Sequence, residues 1–284
     1  MNPAFNYLSV SRRELINPKL LYGTIFRKYR DINVFFHHDV LLRIPDKILA
    51  DSSDNRVYLT HLNSDFANNQ QLIKKMRLCS RVIVQNSTVK ASLVLAGIDV
   101  NKILVALGAV DRNVYFPLED LESFPNPYVI VVGDCKPRKR PELLRCVIES
   151  APEINFLIHG KIWREQLGFG DALPPNTQIR DFKLEDNPNL MRRASAFLNV
   201  AEIEGGPYPI LEALASGTPV ATSDCGFASD VVTKNSGEVF PLDASVMDIK
   251  STLLRVMAMK KTNGRLDLLE GKLSWTDHGL ALYG

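Results

Sequence analysis

The sequence predicts an α/β protein of two doubly wound lobes, each a parallel sheet covered on both faces by helices. Three observations lead there. Short β-branched runs alternate with helical stretches, the pattern of strands buried on both sides. The alternation breaks once, at the proline- and acid-rich stretch 118–127, and then restarts. A chain of 284 residues, 45% of them hydrophobic, is also large enough to build two ordinary cores.

In the first lobe the runs place strands at 32–36, 56–60, 81–84 and 103–106, with helices over 66–78 and 88–96. In the second, strands are expected at 128–132, 155–159, 177–180, 196–199, 220–222 and 237–240. With the boundary near residue 122, the chain divides into a shortened first lobe, 1–122, a second lobe, 123–265, and a closing helical segment, 266–284, expected to return to the first lobe. Neither low-complexity sequence nor a solenoid repeat interrupts this plan.

The net charge of +2 argues against a dedicated nucleic-acid binder, which needs a strong positive field. Cys79, Cys135, Cys146 and Cys225 show no paired metal spacing, and a reduced cytoplasmic setting is the simplest reading. The sequence has no apolar run of bilayer length, and Arg12 and Arg13 follow the first residues without the apolar core of a signal peptide. Peripheral contact with a membrane stays open.

The most informative stretch runs from Glu204 to Glu212, two carboxylates eight positions apart across a Gly-Gly-Pro loop that enters a helix. Gly217 and Pro219 end that helix, and 220–223 reads as a buried strand. With Pro209 at the first helical position, Glu212 is expected in the first turn and Glu204 on the loop before it, both facing one cleft. A helix N-terminus favours anions, phosphates above all. An isolated glutamate in either place is usually only a solvated charge; the loop glycines and the Gly-x-Pro-Val that follows set this pair apart.

The stretch from Ala201 to Val220 resembles the E-x7-E region of GT-B glycosyltransferases, in particular the large retaining group called family 4, or group 1. Glu204, Gly205, Glu212, Ala213, Ala215, Gly217, Pro219 and Val220 fall in register with it. Two positions depart from the pattern: Gly206 stands for an aromatic and Pro207 for a glycine. The resemblance continues in Tyr128 to Gly133, similar to the strand and glycine that open the donor lobe, and in Lys139, which aligns with a lysine that touches the diphosphate. The family's arginine is replaced by Asp134. Arg138 or Arg140 is a candidate substitute from the same loop. On residues alone, the basic run 136–141 also reads as a localisation signal, a phosphate-backbone patch or a solvated loop, although its place at a strand's carboxyl end favours a ligand edge.

In the first lobe, 82–87 and 93–98 are similar to the family's D-x-V-I-x-x-S and L-x-x-x-G-V segments, and His61 aligns with a histidine on the acceptor side of the donor sugar. Residues 102–111 resemble the segment before the hinge, and 224–232, 235–241 and 273–275 resemble the closing turns. The Gly-Gly loop expected near the start does not occur in residues 1–33, and no Asp-x-Asp occurs anywhere.

The resemblance therefore implies a GT-B fold, two Rossmann-like lobes facing across a cleft. It implies a hexosyltransferase that is independent of metal and needs no cofactor beyond its donor, a nucleoside diphosphate sugar carrying UDP or GDP. The sugar would pass to an acceptor hydroxyl with retention, in glycan or polysaccharide biosynthesis, the acceptor being a glycan, a lipid-linked group or a protein. Catalytic roles fall to Glu204, His61 and Lys139. Glu212 would hold the ribose, with Gly205, Gly206, Tyr208, Ile210, Gly133 and Arg138 around the donor. Asp134, Pro207 and the short first lobe favour an alternative: a non-catalytic GT-B-like module that binds a nucleotide or glycan or supports a partner subunit.

Overall fold

The computed structural model describes residues 33–36, 38–51, 54–59, 66, 69–117, 127–169, 172–259 and 273–283. These form two compact units, each built on its own parallel sheet.

The first unit carries β1 (Asn33–Phe36), α1 (His38–Arg43), α2 (Asp46–Asp51), β2 (Asn55–Leu59), α3 (Gln70–Leu78), β3 (Arg81–Val84), most of α4 (Ser87–Leu95) and β4 (Ile103–Val105). Its strands lie in sequential order, β1-β2-β3-β4, all parallel. Leu41, Val57, Leu72, Met76, Val82 and Leu93 are buried at its core. The helix expected over 66–78 starts only at Gln70. Asn69 caps it, its side chain accepting from the Leu72 N–H at 3.0 Å, and this bond stops the helix from extending backward.

The second unit holds β5 (Tyr128–Val132), α5 (Pro141–Ser150), β6 (Asn155–His159), α6 (Trp163–Leu167), β7 (Thr177–Arg180), α7 (Asn187–Arg193), β8 (Ala196–Asn199), α8 (Tyr208–Ala215), β9 (Val220–Ser223), α9 (Ala228–Val231), β10 (Gly237–Phe240), α10 (Val246–Met257) and the start of α11 (Trp275–Tyr283). Side-chain alternation along its strands explains how both faces are filled. Val129, Val131, Phe156, Ile158 and Leu198 pack toward α5 and α10, while Ile130, Val132, Phe197 and Val220 pack toward α7 and α8.

The second sheet has the order β10-β9-β8-β5-β6-β7, every pair parallel. Counted from β5 this is the doubly wound 3-2-1-4-5-6 arrangement, with its reversal between β5 and β8. The chain leaves those two strands toward opposite faces of the sheet, and the carboxyl edge at such a reversal is where open sheets take their ligands. One loop carries Gly133 to Arg140 and the other leads to Glu204.

The units change over between Ala106 and Leu107, residues 85–88 group with the second unit, and 281–284 with the first. Within the first unit Arg56 donates from Nη1 to the Leu282 carbonyl at 2.9 Å. Among the described residues no helix is long and apolar enough to cross a membrane.

The carboxyl edge requires close passage of β5 and β6 where they end. Gly133 has φ +105°, and its carbonyl accepts from Trp163 Nε1 at 2.7 Å. A Cβ on Gly160 would collide with that same carbonyl. Gly160→Ala is therefore expected to destabilise the protein by about 2 kcal/mol or more, read as a fall in the urea midpoint at unchanged slope.

Candidate active site

Glu204 sits on the loop after β8 with its side chain 6% exposed, between two cations from the loop after β5. Lys139 Nζ lies 2.7 Å from Oε1, and Arg138 Nη1 pairs with Oε2. Both cations come from a single 3-10 turn, Pro137–Lys139, fastened to the glutamate's own loop. Arg138 Nη1 donates to the Ile203 carbonyl at 3.0 Å, and the Glu202 N–H donates to the Arg138 carbonyl at 2.8 Å. Burial pushes the Glu204 carboxyl up, but Lys139 and Arg138 outweigh it and hold the group below its ordinary range.

Arg140 takes no part in this cluster; its Nη1 donates to the Leu242 carbonyl at 2.7 Å. Asp134, at the family's arginine position, accepts the Lys161 N–H on Oδ1 at 3.1 Å and so ties the β5 and β6 loops together. Of the two substitutes considered, Arg138 is the one beside Glu204.

Glu212 occupies a different environment. Helix α8 begins at Tyr208, so Pro209 is its second residue and Glu212 its fifth, one residue deeper than the sequence predicts. Proline is tolerated at both of the first two helical positions, which is why the start was misplaced by one. Glu212 Oε2 accepts from Asn187 Nδ2 at 3.0 Å, and Tyr115 is a second hydrogen-bond partner. Burial pushes this carboxyl up, only partly offset by Tyr115 and Asn187.

The N-terminus of α8 is a poorer anion site than anticipated. Pro207 and Pro209 carry no N–H, and the Ile210 N–H donates to the Pro207 carbonyl at 2.9 Å. Positive charge at this edge comes from Lys139 and Arg138 instead.

The remaining predicted residues surround this pair. The Gly205 carbonyl accepts from Asn86 Nδ2 at 3.1 Å. A Cβ on Gly206 would lie 2.6 Å from the Phe227 ring, so Phe227 fills the space where the family pattern carries an aromatic at 206. Tyr208 stacks on Trp275 with centroids 5.8 Å apart. Ile210 is buried in the core, and what it offers the site is the position of the helix start. His61 lies outside the described residues. Asn187, Tyr115 and His159, all in contact around Glu212, escaped the sequence reading. The one available cue was a histidine closing the otherwise apolar run of β6.

The family model of glycosyl transferases group 1 matches residues 122–267, just over half of the chain. No curated protein matches it in sequence. Among solved structures the chain is similar to the apo form of the lipopolysaccharide outer core galactosyltransferase WaaB, at 16% identity and TM-score 0.70, covering 93% of this chain and 77% of that one. It is similar to sucrose-phosphate synthase from Thermosynechococcus elongatus, at 15% identity and TM-score 0.74 over 96% and 78% of the two chains. Anabaena HepE in complex with UDP-glucose gives 16% identity and TM-score 0.71 over 96% and 83%. At such identities the likeness is one of fold.

The two carboxylates should respond oppositely to pH and to neutralisation. Glu204 is depressed below its ordinary 4.5, so the stability it adds is full above pH 4.5 and is lost as pH falls through its lowered value. Glu212 is raised, so its ionisation costs stability as pH climbs from 4.5 through its raised value. At pH 7, Glu204→Gln should lower the unfolding free energy of the ligand-free protein by about 3 kcal/mol, because it leaves two cations facing each other. Glu212→Gln should leave it at least as stable as the parent. Urea titrations at pH 4 and pH 7 read both effects.

Proposed function

The chain belongs to the glycosyl transferases group 1 and has their GT-B fold, and from that premise we propose that it moves a sugar from a nucleoside diphosphate sugar to an acceptor hydroxyl with retention of configuration. The observation that carries this reading is the Glu204 cluster at the reversal of the second sheet, with Glu212 eight residues on. Two cations against one carboxylate leave a net positive charge at the edge where such sheets take their ligands.

In this reading Lys139 and Arg138 neutralise the diphosphate as the sugar bond breaks, which is where electrostatic stabilisation gains most. Glu204, released from one of its cations, accepts from hydroxyls of the donor sugar, and Glu212 accepts from the ribose. Gly133 and Gly205 leave room for the donor to approach the backbone. From sequence alone, His61 is assigned to proton exchange on the acceptor side. Because the diphosphate charge is met by side chains, no metal is required, and EDTA should leave the rate unchanged. HepE in its complexes with UDP and glucose and with UDP-glucose supports a UDP-sugar as the first donor to try. We assign the protein to the cytoplasm, in glycan assembly.

The double-displacement chemistry of retaining glycosidases is not part of this proposal. It needs two carboxylates flanking the anomeric carbon, and here one carboxylate is given to the ribose. The alternative of a binding module rests on Asp134 in place of a cation. Release of nucleoside diphosphate from a panel of nucleotide sugars separates the two: slow turnover supports the enzyme, and none supports the module.

UDP, GDP and ADP should be screened first by thermal shift. A ligand at about a hundred times its Kd adds about 2.7 kcal/mol to stability, so the cognate nucleotide will stand out. Glu212→Ala should then raise the Kd of that nucleotide well above tenfold by calorimetry, since it removes buried hydrogen-bond partners. An unchanged Kd would sink the site assignment.

A further inference from the structure

We infer that His159 is a positioning residue for Glu212, acting through Asn187, and that its ring tautomer sets the direction of the hydrogen bonds reaching that carboxylate. The inference rests on the proposed role of Glu212 as the ribose acceptor.

His159 closes β6 and is 1% exposed. The Lys183 N–H donates to its Nε2 at 3.0 Å. A ring nitrogen that accepts carries no proton, so the ring proton is on Nδ1. Nδ1 lies 3.2 Å from Asn187 Oδ1 and donates to it. That bond and the Glu212 carboxylate on the other side of the amide agree on which way Asn187 points, a choice that the amide itself leaves free. With Oδ1 turned to the histidine, Nδ2 faces the other way and donates to Glu212 Oε2 and to the Tyr115 hydroxyl oxygen, both at 3.0 Å.

Reversing any member would set like groups against each other. A proton on Nε2 would face the Lys183 N–H, and a flipped Asn187 would aim its carbonyl at a carboxylate. The Tyr115 oxygen, already accepting from Asn187, has its own O–H to give to Glu212, and Tyr115 is a hydrogen-bond partner of that carboxyl. The direction therefore runs one way, from the backbone of Lys183 to Glu212.

The arrangement is costly to maintain in a core. Asn187 is 1% exposed like His159, and apolar replacements of buried polar networks are frequently neutral or stabilising. Packing alone does not call for these residues. What they supply is a fixed orientation for a buried carboxylate that would otherwise rotate among poorer partners. Phe182, with its ring centroid 4.8 Å from that of His159, helps hold the imidazole in place.

The experiment compares four variants with the parent, using the nucleoside diphosphate selected by thermal shift as the probe. His159→Leu removes the donor at the Nδ1 position, while His159→Asn keeps one there. We expect His159→Leu to raise the Kd of the nucleotide about tenfold and KM for the nucleotide sugar to the same extent, with kcat less affected. His159→Asn should recover most of the loss. Made in the Glu212→Ala background, His159→Leu should add nothing further. A His159→Leu protein with lowered thermal stability and unchanged Kd would reduce the residue to a structural role and overturn the inference, as would effects that add in the double variant. If His159→Leu does not fold, nitrogen-15 NMR of the parent's His159 ring decides: a protonated Nδ1 with bare Nε2 upholds the relay, and the opposite tautomer ends it. Should Glu212→Ala itself bind nucleotide normally, the ribose assignment fails, an outcome distinct from either result at His159.

Discussion

The reversal of strand order between β5 and β8 is the constraint on which the functional half of this protein depends. In a parallel sheet every carboxyl end lies on one edge, and loops wound in the same direction cover one another there. Where winding reverses, the two loops diverge and the edge is left open. In this chain the loop from Gly133 to Arg140 meets the loop that bears Glu204, so a carboxylate and two cations distant in sequence come together in space. The glycines at 133 and 160 serve the same geometry, one by its positive φ and the other by the close passage of the neighbouring carbonyl.

Chemically identical side chains at 204 and 212 are given opposite properties by their surroundings. Both are buried, and burial pushes each carboxyl up. At 204 the effect is overcome by charge, and the two cations hold the carboxyl below its ordinary range. At 212 the compensation comes from an amide and a phenol, neutral donors that only partly offset burial. A carboxylate held by neutral donors suits neutral hydroxyl ligands, whereas one held by two cations lies where positive charge is in excess.

Much of this was legible in the sequence. The ten strands begin and end within one residue of their expected places wherever the ends are described; those buried on both faces, such as β5 and β8, leave apolar runs, whereas β7 is largely exposed. The E-x7-E spacing marked the site because a loop and a helix fix it locally. What escaped notice was nonlocal. His159 and Asn187 are 28 residues apart, and Asn187 and Tyr115 are 72 apart, so their meeting depends on the sheet order and on nothing near them in the chain. The position of Pro209 misled by one residue because proline reports a helix start without distinguishing its first two positions.

Two of the departures from the family pattern, at 206 and 134, have a neighbour in space that bears on them. The aromatic missing at 206 is replaced by Phe227, whose ring leaves no room for a side chain there. The cation missing at 134 is answered by Arg138, while Asp134 itself joins the β5 loop to the β6 loop through the Lys161 N–H. This second exchange has a mechanical consequence. Arg138 and Lys139 are consecutive in one 3-10 turn, where neighbouring side chains diverge by about a third of a circle. They bracket Glu204 because its carboxylate lies between them, one oxygen to each. A diphosphate entering the same space presents several oxygens and can engage both cations at once, which a single carboxylate does only by being held almost wholly out of solvent.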